Sequence, residues 1–300
     1  MSLSAFGLIL LSIFLHVGWN LISKKSQPSA AFYLLTSVTA FLMFFPCVFF
    51  AGIDWSALGG RFWFFVLVSV AFEILYFTGL FKTYRSADIS LAYPMIRALP
   101  LLFIALLTTV LGLGAPLSLA AITGMVVVFA GCLLMPLTDL THFRWQNYLN
   151  KDILFVILVA LGTTGYTIFD SQAIRTITEN VSGISKPMIS LTYYATRVIT
   201  LTITLWCLVL LSPAGRAVVR DVWIRRDRLA VYAGLFASCS YVLVLLSMGY
   251  VTNVSFVQVF RQMGMLIGVA LGIFLLKEKC TLPKIIGVTL IVLGLILTVL

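Results

Sequence analysis

The stretch Gly124-Met-Val-Val-Val-Phe-Ala-Gly131 lies in an apolar run over about 115–137, and a near copy, Gly287-Val-Thr-Leu-Ile-Val-Leu-Gly294, lies in the run over 282–300. A helix rises about 1.5 Å per residue, so roughly 20 apolar residues cross a hydrocarbon core of about 30 Å. Each of these runs has that length. Working outward, comparable runs recur at 3–23, 29–51, 62–81, 89–112, 152–172, 188–211, 229–250 and 253–276, and most of the turns between them are short. The 300 residues are 61% hydrophobic and 10% charged, against about 25% charged in a typical soluble domain. A soluble core has no room for so much apolar surface. The expected class is an all-α transmembrane protein of ten helices.

The two glycine-bounded copies keep one offset, with 163 residues from Gly124 to Gly287 and 163 from Gly131 to Gly294. Upstream, Ala87-Asp88-Ile89-Ser90-Leu91 resembles Thr252-Asn253-Val254-Ser255-Phe256 at an offset of 165, which implies a small gap in the ninth span. Five spans per copy is an odd number, so the second copy enters the bilayer upside down. The expectation is two inverted five-helix repeats, residues 1–140 and 150–300, around a central cavity with a substrate site near the bilayer midplane.

A formal charge of +10 invites a nucleic-acid reading, but the placement of the charge argues against one. Of the 20 Lys and Arg, fourteen fall in odd-numbered turns, only Arg61, Arg175 and Lys186 in even-numbered ones, and three within spans. This is the positive-inside pattern. It predicts a multi-pass protein of the inner or plasma membrane with cytoplasmic odd turns and external termini. The first run, Leu3 to Ser23, has no basic leader and reads as a retained helix. The longest basic turn, Pro213 to Arg228, interleaves Val218, Val219, Trp223 and Ile224 with five arginines, the pattern of a short interfacial helix facing anionic headgroups, with a solvated loop as the alternative.

Cysteines 47, 132, 207, 239 and 280 stand singly, without metal-ligand spacing. No H-E-x-x-H, G-x-S-x-G or P-loop occurs, and there are two histidines, His16 and His142. The sequence therefore predicts neither an enzyme nor a metal or organic cofactor.

Lys277-Glu278-Lys279-Cys280-Thr281-Leu282-Pro283-Lys284-Ile285-Ile286-Gly287 and the final span after it resemble the acidic-basic turn and Gly-containing last helix of the drug/metabolite transporter superfamily, in particular its ten-helix EamA-type members. Gly18-Trp19-Asn20, with Lys24 four residues beyond Asn20, is similar to the family's first-helix pattern. The first-half counterpart of the acidic-basic turn, Gly112-Leu113-Gly114-Ala115-Pro116-Leu117, carries no charge. The resemblance covers the organisation of the whole chain and implies a secondary transporter without catalytic residues.

An ionisable side chain at mid-membrane costs roughly 2.5–3.5 kcal/mol even on the lenient insertion scale, which makes it a functional candidate. Here these are Glu73, Arg97, Arg197, Arg261 and, less deeply, Asp170. Arg97, Arg197 and Arg261 each lie eight or nine residues into a span, roughly 12–14 Å deep. Arginine presents a planar donor fork suited to carboxylate or phosphate. Three buried cations against two carboxylates point to an anionic or zwitterionic metabolite such as an organic acid, amino acid or phosphonate. The alternative is that Glu73 and Asp170 simply neutralise two of the arginines.

Glu73 and Asp170 are the candidates for proton coupling. His16, Trp19 and Asn20 form one polar-aromatic stripe on the first span, and Thr163, Tyr166 and Thr167 sit at the equivalent place in the sixth. Tyr93, Tyr193, Tyr194, Tyr241 and Gln258 add hydrogen-bonding groups. The expected partners are a small-molecule metabolite and the lipid bilayer, with no nucleic acid. Gly264, Gly268 and Gly272 suit close helix packing, in a monomer or a weak homodimer. Competing functions are an exporter of cationic drugs using Glu73 and Asp170, a lipid scramblase, and an accessory membrane protein.

Overall fold

The computed structural model describes residues 3–26, 30–50, 52–86, 89–135, 137, 139–140, 153–211, 213–225, 228–275 and 281–300. Among these residues all repetitive structure is helical, with no strands. In chain order the helices are α1 (Leu3–Ser26), α2 (Ala30–Phe44), α3 (Cys47–Phe50), a 3-10 turn (Trp55–Leu58), α4 (Gly59–Ser86), α5 (Ile89–Val110) and α6 (Leu119–Leu134). They continue with α7 (Ile153–Asn180), α8 (Lys186–Leu210), α9 (Pro213–Arg225), α10 (Arg228–Met248), α11 (Val254–Arg261), α12 (Met263–Leu275) and α13 (Leu282–Val299).

Among the described residues, six stretches are long and apolar enough to cross a membrane: Phe32–Phe49, Trp55–Leu80, Ile153–Asn180, Lys186–Leu210, Arg228–Met248 and Leu282–Val299. Four described apolar stretches are shorter: Leu3–Trp19, Met95–Val110, Leu119–Leu134 and Val254–Ile267.

Local chemistry sets the helix ends. Pro46 has no N–H and its ring crowds the preceding turn, so the second predicted span is divided into α2 and α3. Ser118 Oγ accepts from Ala121 N at 3.0 Å and opens α6, while Asn253 Oδ1 accepts from Ser255 N at 2.9 Å and opens α11. The ninth predicted span is interrupted at Gln262. There Gln262 N donates to Val259 O and Met265 N to Gln262 O, both at 2.9 Å, and these tighter bonds separate α11 from α12. The sixth predicted span runs eight residues beyond its expected end, to Asn180, because Arg175 and Glu179 pair across one exposed turn (Nε to Oε1, 2.6 Å) and carry the helix on.

The chain forms two compact units, each drawing segments from both halves of the sequence. The first comprises residues 1–6, 71–168 and 251–300. Its centre is the antiparallel pair α6 and α13, which the four glycines of the repeated motif bring into backbone contact. A Cβ on Gly124 would stand 2.6 Å from Gly294 O, and one on Gly131 2.7 Å from Gly287 O. Without side chains at these points the backbones nest, and dispersion accumulates along the seam. The other face of α6 exposes Leu119, Ile122 and Val126, and that of α13 exposes Ile285, Val292, Leu293 and Ile296. Small residues inward and large apolar residues outward is the arrangement lipid favours. In the turn before α6, Gly114 has φ +106, and a Cβ there would meet Thr252 O at 2.8 Å. Only glycine suits that site. The turn is held by Ala115 N donating to Thr252 O at 3.0 Å.

The second unit comprises residues 7–70 and 169–250. Helix α2 packs against α8, α9 and α10, and α1 meets α10 where Ser240 Oγ donates to Ser12 O at 2.9 Å. Thr202 Oγ1 of α8 donates to Ser37 O of α2 at 3.2 Å. At one end of the unit, Phe32, Ala230 and Ala233 form a small apolar cluster with Trp19 and Ile22 of α1.

Candidate functional site

The second unit holds a buried charged knot. Asp170 on α7 is fully buried and Arg197 on α8 is 2% exposed. Arg197 Nε donates to Asp170 Oδ1 at 3.1 Å and to Ser69 Oγ at 3.1 Å. Ser69 Oγ and the Tyr193 hydroxyl also donate to Asp170 Oδ1, and the Tyr241 hydroxyl donates to Oδ2 at 2.5 Å. The Arg197 guanidinium lies over the Tyr241 ring, 4.9 Å from its centroid.

This geometry follows from helix periodicity. Tyr193 and Arg197 stand four apart on α8 and share a face, α7 brings Asp170 to it, and α4 and α10 supply Ser69 and Tyr241. Desolvating an ion pair is repaid only when the remaining lone pairs and protons are also satisfied. Three hydroxyls and a cation–π contact do that here. Around the knot, Tyr194 stands 6.2 Å from the Tyr241 ring and edge-on to Phe44 at 4.8 Å, while Tyr193 faces Phe62 at 6.4 Å. Hydropathy places Asp170 near a span end, but it lies ten residues before the end of α7 and has no exposure.

The first unit holds a second polar group on α5 and α11. Gln262 Nε2 donates to Arg97 O at 3.0 Å and to Gln258 O at 3.3 Å, and Arg261 Nη1 reaches Gln258 Oε1 at 3.5 Å. Gln258 and Gln262 are buried, whereas Arg97 and Arg261 are half-buried. The two helices are further tied where the Thr108 and Ser255 hydroxyls meet at 3.0 Å, and the segments that flank them where Asn253 Nδ2 donates to Ala115 O at 3.0 Å. Arg97 and Arg261 thus lie half-buried on neighbouring helices, with the Gln262 amide on the Arg97 backbone carbonyl and the Arg261 guanidinium on the Gln258 side chain.

Also in the first unit, α7 closes on α4. A Cβ on Gly162 would stand 2.6 Å from Tyr76 N, and one on Gly165 2.2 Å from the Phe72 ring. This contact seats Tyr166 edge-on to Tyr76 at 5.9 Å, one turn from the half-buried Glu73. Thr164 and Thr167 are 1% and 2% exposed, and their hydroxyls have no hydrogen-bond partner among the described residues. Most helical threonines here donate to the carbonyl four residues back, as Thr176, Thr196 and Thr200 do at 2.9–3.0 Å. Gln262 Oε1 is likewise buried without a partner.

Of the remaining candidates, Trp19 stacks on Phe32 at 6.3 Å within the apolar cluster of the second unit, and His16 is half-buried one turn before it. The side chains of Asn20 and Tyr93, and the segment Lys277 to Cys280, lie outside the described residues. Ser69, Thr164 and Gln262 carry no signal in the sequence. A single hydroxyl or amide between apolar neighbours looks the same whether it meets its own helix or a carboxylate from another.

Comparison with known proteins fits this architecture. Curated proteins give no match. The crystal structure of another protein is similar in fold, with a TM-score of 0.65 at 16% identity over 99% of this chain and 96% of that one. The profile of the EamA-like transporter family matches residues 150–300, half of the chain. The chain therefore belongs to the EamA-like transporter family, within the drug/metabolite transporter superfamily.

Proposed function

We propose that this protein is a secondary active transporter of a small anionic or zwitterionic metabolite, working by alternating access. The observation that carries the substrate class is the position of Arg97 and Arg261, two half-buried cations on the contacting helices α5 and α11, where Gln262 Nε2 donates to the Arg97 carbonyl and Arg261 Nη1 reaches Gln258 Oε1. In the first unit these two cations stand against one acid at comparable depth, Glu73. Their donor forks suit an organic carboxylate or a phosphonate. In the second unit Arg197 and Asp170 already satisfy each other.

Two inverted five-helix repeats, making ten spans, are part of this reading. Its support lies in how matching residues meet. Gly124 corresponds to Gly287 and Gly131 to Gly294, and the contacts run from Gly124 to Gly294 and from Gly131 to Gly287, so exchanging the copies leaves the pair unchanged. At the offset of 165, Arg97 corresponds to Gln262 and Ser37 to Thr202, and each of these pairs is hydrogen-bonded. Equivalent residues touch where a two-fold axis passes between two copies. Charge bias adds cytoplasmic odd turns and external termini.

Of the two carboxylates we assign proton coupling to Glu73, since Asp170 accepts four hydrogen bonds. A cationic substrate ranks second. Asp170 with Tyr193 and Tyr241 has the make-up of a cation site, but the Arg197 guanidinium fills it. A thermal-shift screen of the purified protein with small carboxylates, amino acids, phosphonates and organic cations tests the class. Stabilisation by anions or zwitterions alone supports it, and stabilisation by cations alone overturns it.

A further inference from the structure

Helix α9 takes no part in either polar group, yet it carries the densest charge in the chain. Residues 213–228 hold five arginines against Asp221 and Asp227. Gly215 is buried and Val218 and Val219 are half-buried where α9 packs on α2 and α8, and Arg216 and Arg220, one turn apart, are exposed. Arg228 is exposed at the start of α10, and Asp221 on α9 is half-buried.

Helix α1 reaches the start of α10 in the same unit. Lys24 and Lys25 lie in the last turn of α1, a helix whose Trp19 and Ile22 pack on Phe32, Ala230 and Ala233 at the starts of α2 and α10. The apolar packing therefore brings α1 against the starts of α2 and α10 at one end of the second unit.

We propose that this end of the second unit is a binding surface for anionic phospholipid headgroups, with Arg216 and Arg220 as its principal contacts. The partner follows from charge complementarity and from the setting. An amphipathic helix with its valines inward and its arginines outward, in a membrane protein, presents cations where headgroup phosphates stand. Saturable, lipid-selective binding goes beyond a general charge bias, which sets orientation but discriminates between no lipids. It is also independent of the transported substrate. Because α9 joins α8, which carries Tyr193 and Arg197, to α10, which carries Tyr241, a bound headgroup braces the two helices that supply three of Asp170's donors.

The test is lipid retention by the purified full-length protein in nanodiscs of mixed phosphatidylcholine and phosphatidylglycerol, read by native mass spectrometry. A basic residue at a membrane surface contributes about fivefold in affinity, so Arg216→Gln/Arg220→Gln is expected to lower the preference for phosphatidylglycerol by roughly 25-fold. Arg216→Lys/Arg220→Lys is expected to keep most of it. Phosphatidylglycerol, but not added glycerol phosphate, raises the unfolding temperature of the unsubstituted protein if the partner is a lipid rather than free phosphate. A preference unchanged in the Gln variant, no preference in the unsubstituted protein, or a preference that persists undiminished in 1 M salt would each overturn the proposal. The salt titration needs no variant, so it decides even if the Gln variant misfolds.

Discussion

Arg197 and Asp170, 27 residues apart and on successive helices, form a buried ion pair at 3.1 Å, and among the described residues the other hydrogen-bond donors to Asp170 are hydroxyls. One carboxylate thereby ties α4, α7, α8 and α10 together. Removing one partner leaves the other charge buried and uncompensated, at a cost of about 3–5 kcal/mol. Arg197→Met and Asp170→Asn are each expected to lower the unfolding temperature sharply in detergent, and the double substitution less than the sum of the two. Additive effects would mean that the pair does not act as a unit.

The α6–α13 seam predicts a different failure. Gly124→Ala places a methyl group within 2.5–2.7 Å of Thr298 Oγ1, Gly294 O and Thr298 N, two of them backbone atoms that cannot rotate away. Overpacking costs about 1–3 kcal/mol, and parting two helix backbones belongs at the upper end. Gly7→Ala, at a position with nothing within 4 Å, is the matched control. Equal unfolding temperatures for the two variants would rule out the close approach.

Thr164 and Thr167 make an inverse prediction. A buried hydroxyl without a partner costs about 1–3 kcal/mol, so Thr164→Val and Thr167→Val are expected to leave the unfolding temperature unchanged or raise it. If the hydroxyls serve the substrate or water along its path, the same variants lose transport, and the Ser variants keep it. A fall in stability with unchanged transport would assign them to packing alone.

Glu73 is the test of coupling. Glu73→Gln in proteoliposomes is expected to abolish uptake driven by a pH gradient while sparing exchange of labelled for unlabelled substrate. Gradient-driven uptake that survives this substitution would remove Glu73 from the coupling step.

How much of this was legible in the sequence depends on the kind of force involved. Hydropathy reports contact with lipid, so the apolar runs were readable, and the Gly124 and Gly131 motif with its copy marked the α6–α13 seam because only a residue without a side chain permits such an approach. The end of the sixth span was misplaced because Arg175 and Glu179 end the apolar segment, and the helix continues as an exposed extension. Hydropathy marks Arg197 as a deep charge and Asp170 as a shallower one, but nothing along the chain states that they meet, nor that Ser69, a lone hydroxyl between valines, completes the site. Partnership across helices depends on rotation and register, and neither leaves a trace in composition. The interleaving of both halves in each compact unit is hidden for the same reason.

The most direct measurement of the central claim is solute flux in liposomes containing the pure protein, comparing labelled organic acids, amino acids, a phosphonate and organic cations, with Arg97→Gln and Arg261→Gln alongside. The expected result is gradient-driven flux of an anion or zwitterion that falls at least about 30-fold in each variant, the loss expected when one partner of a charged contact to bound substrate is removed, with the unfolding temperature preserved. Flux of cations alone, or anion flux unchanged in both variants, would contradict it.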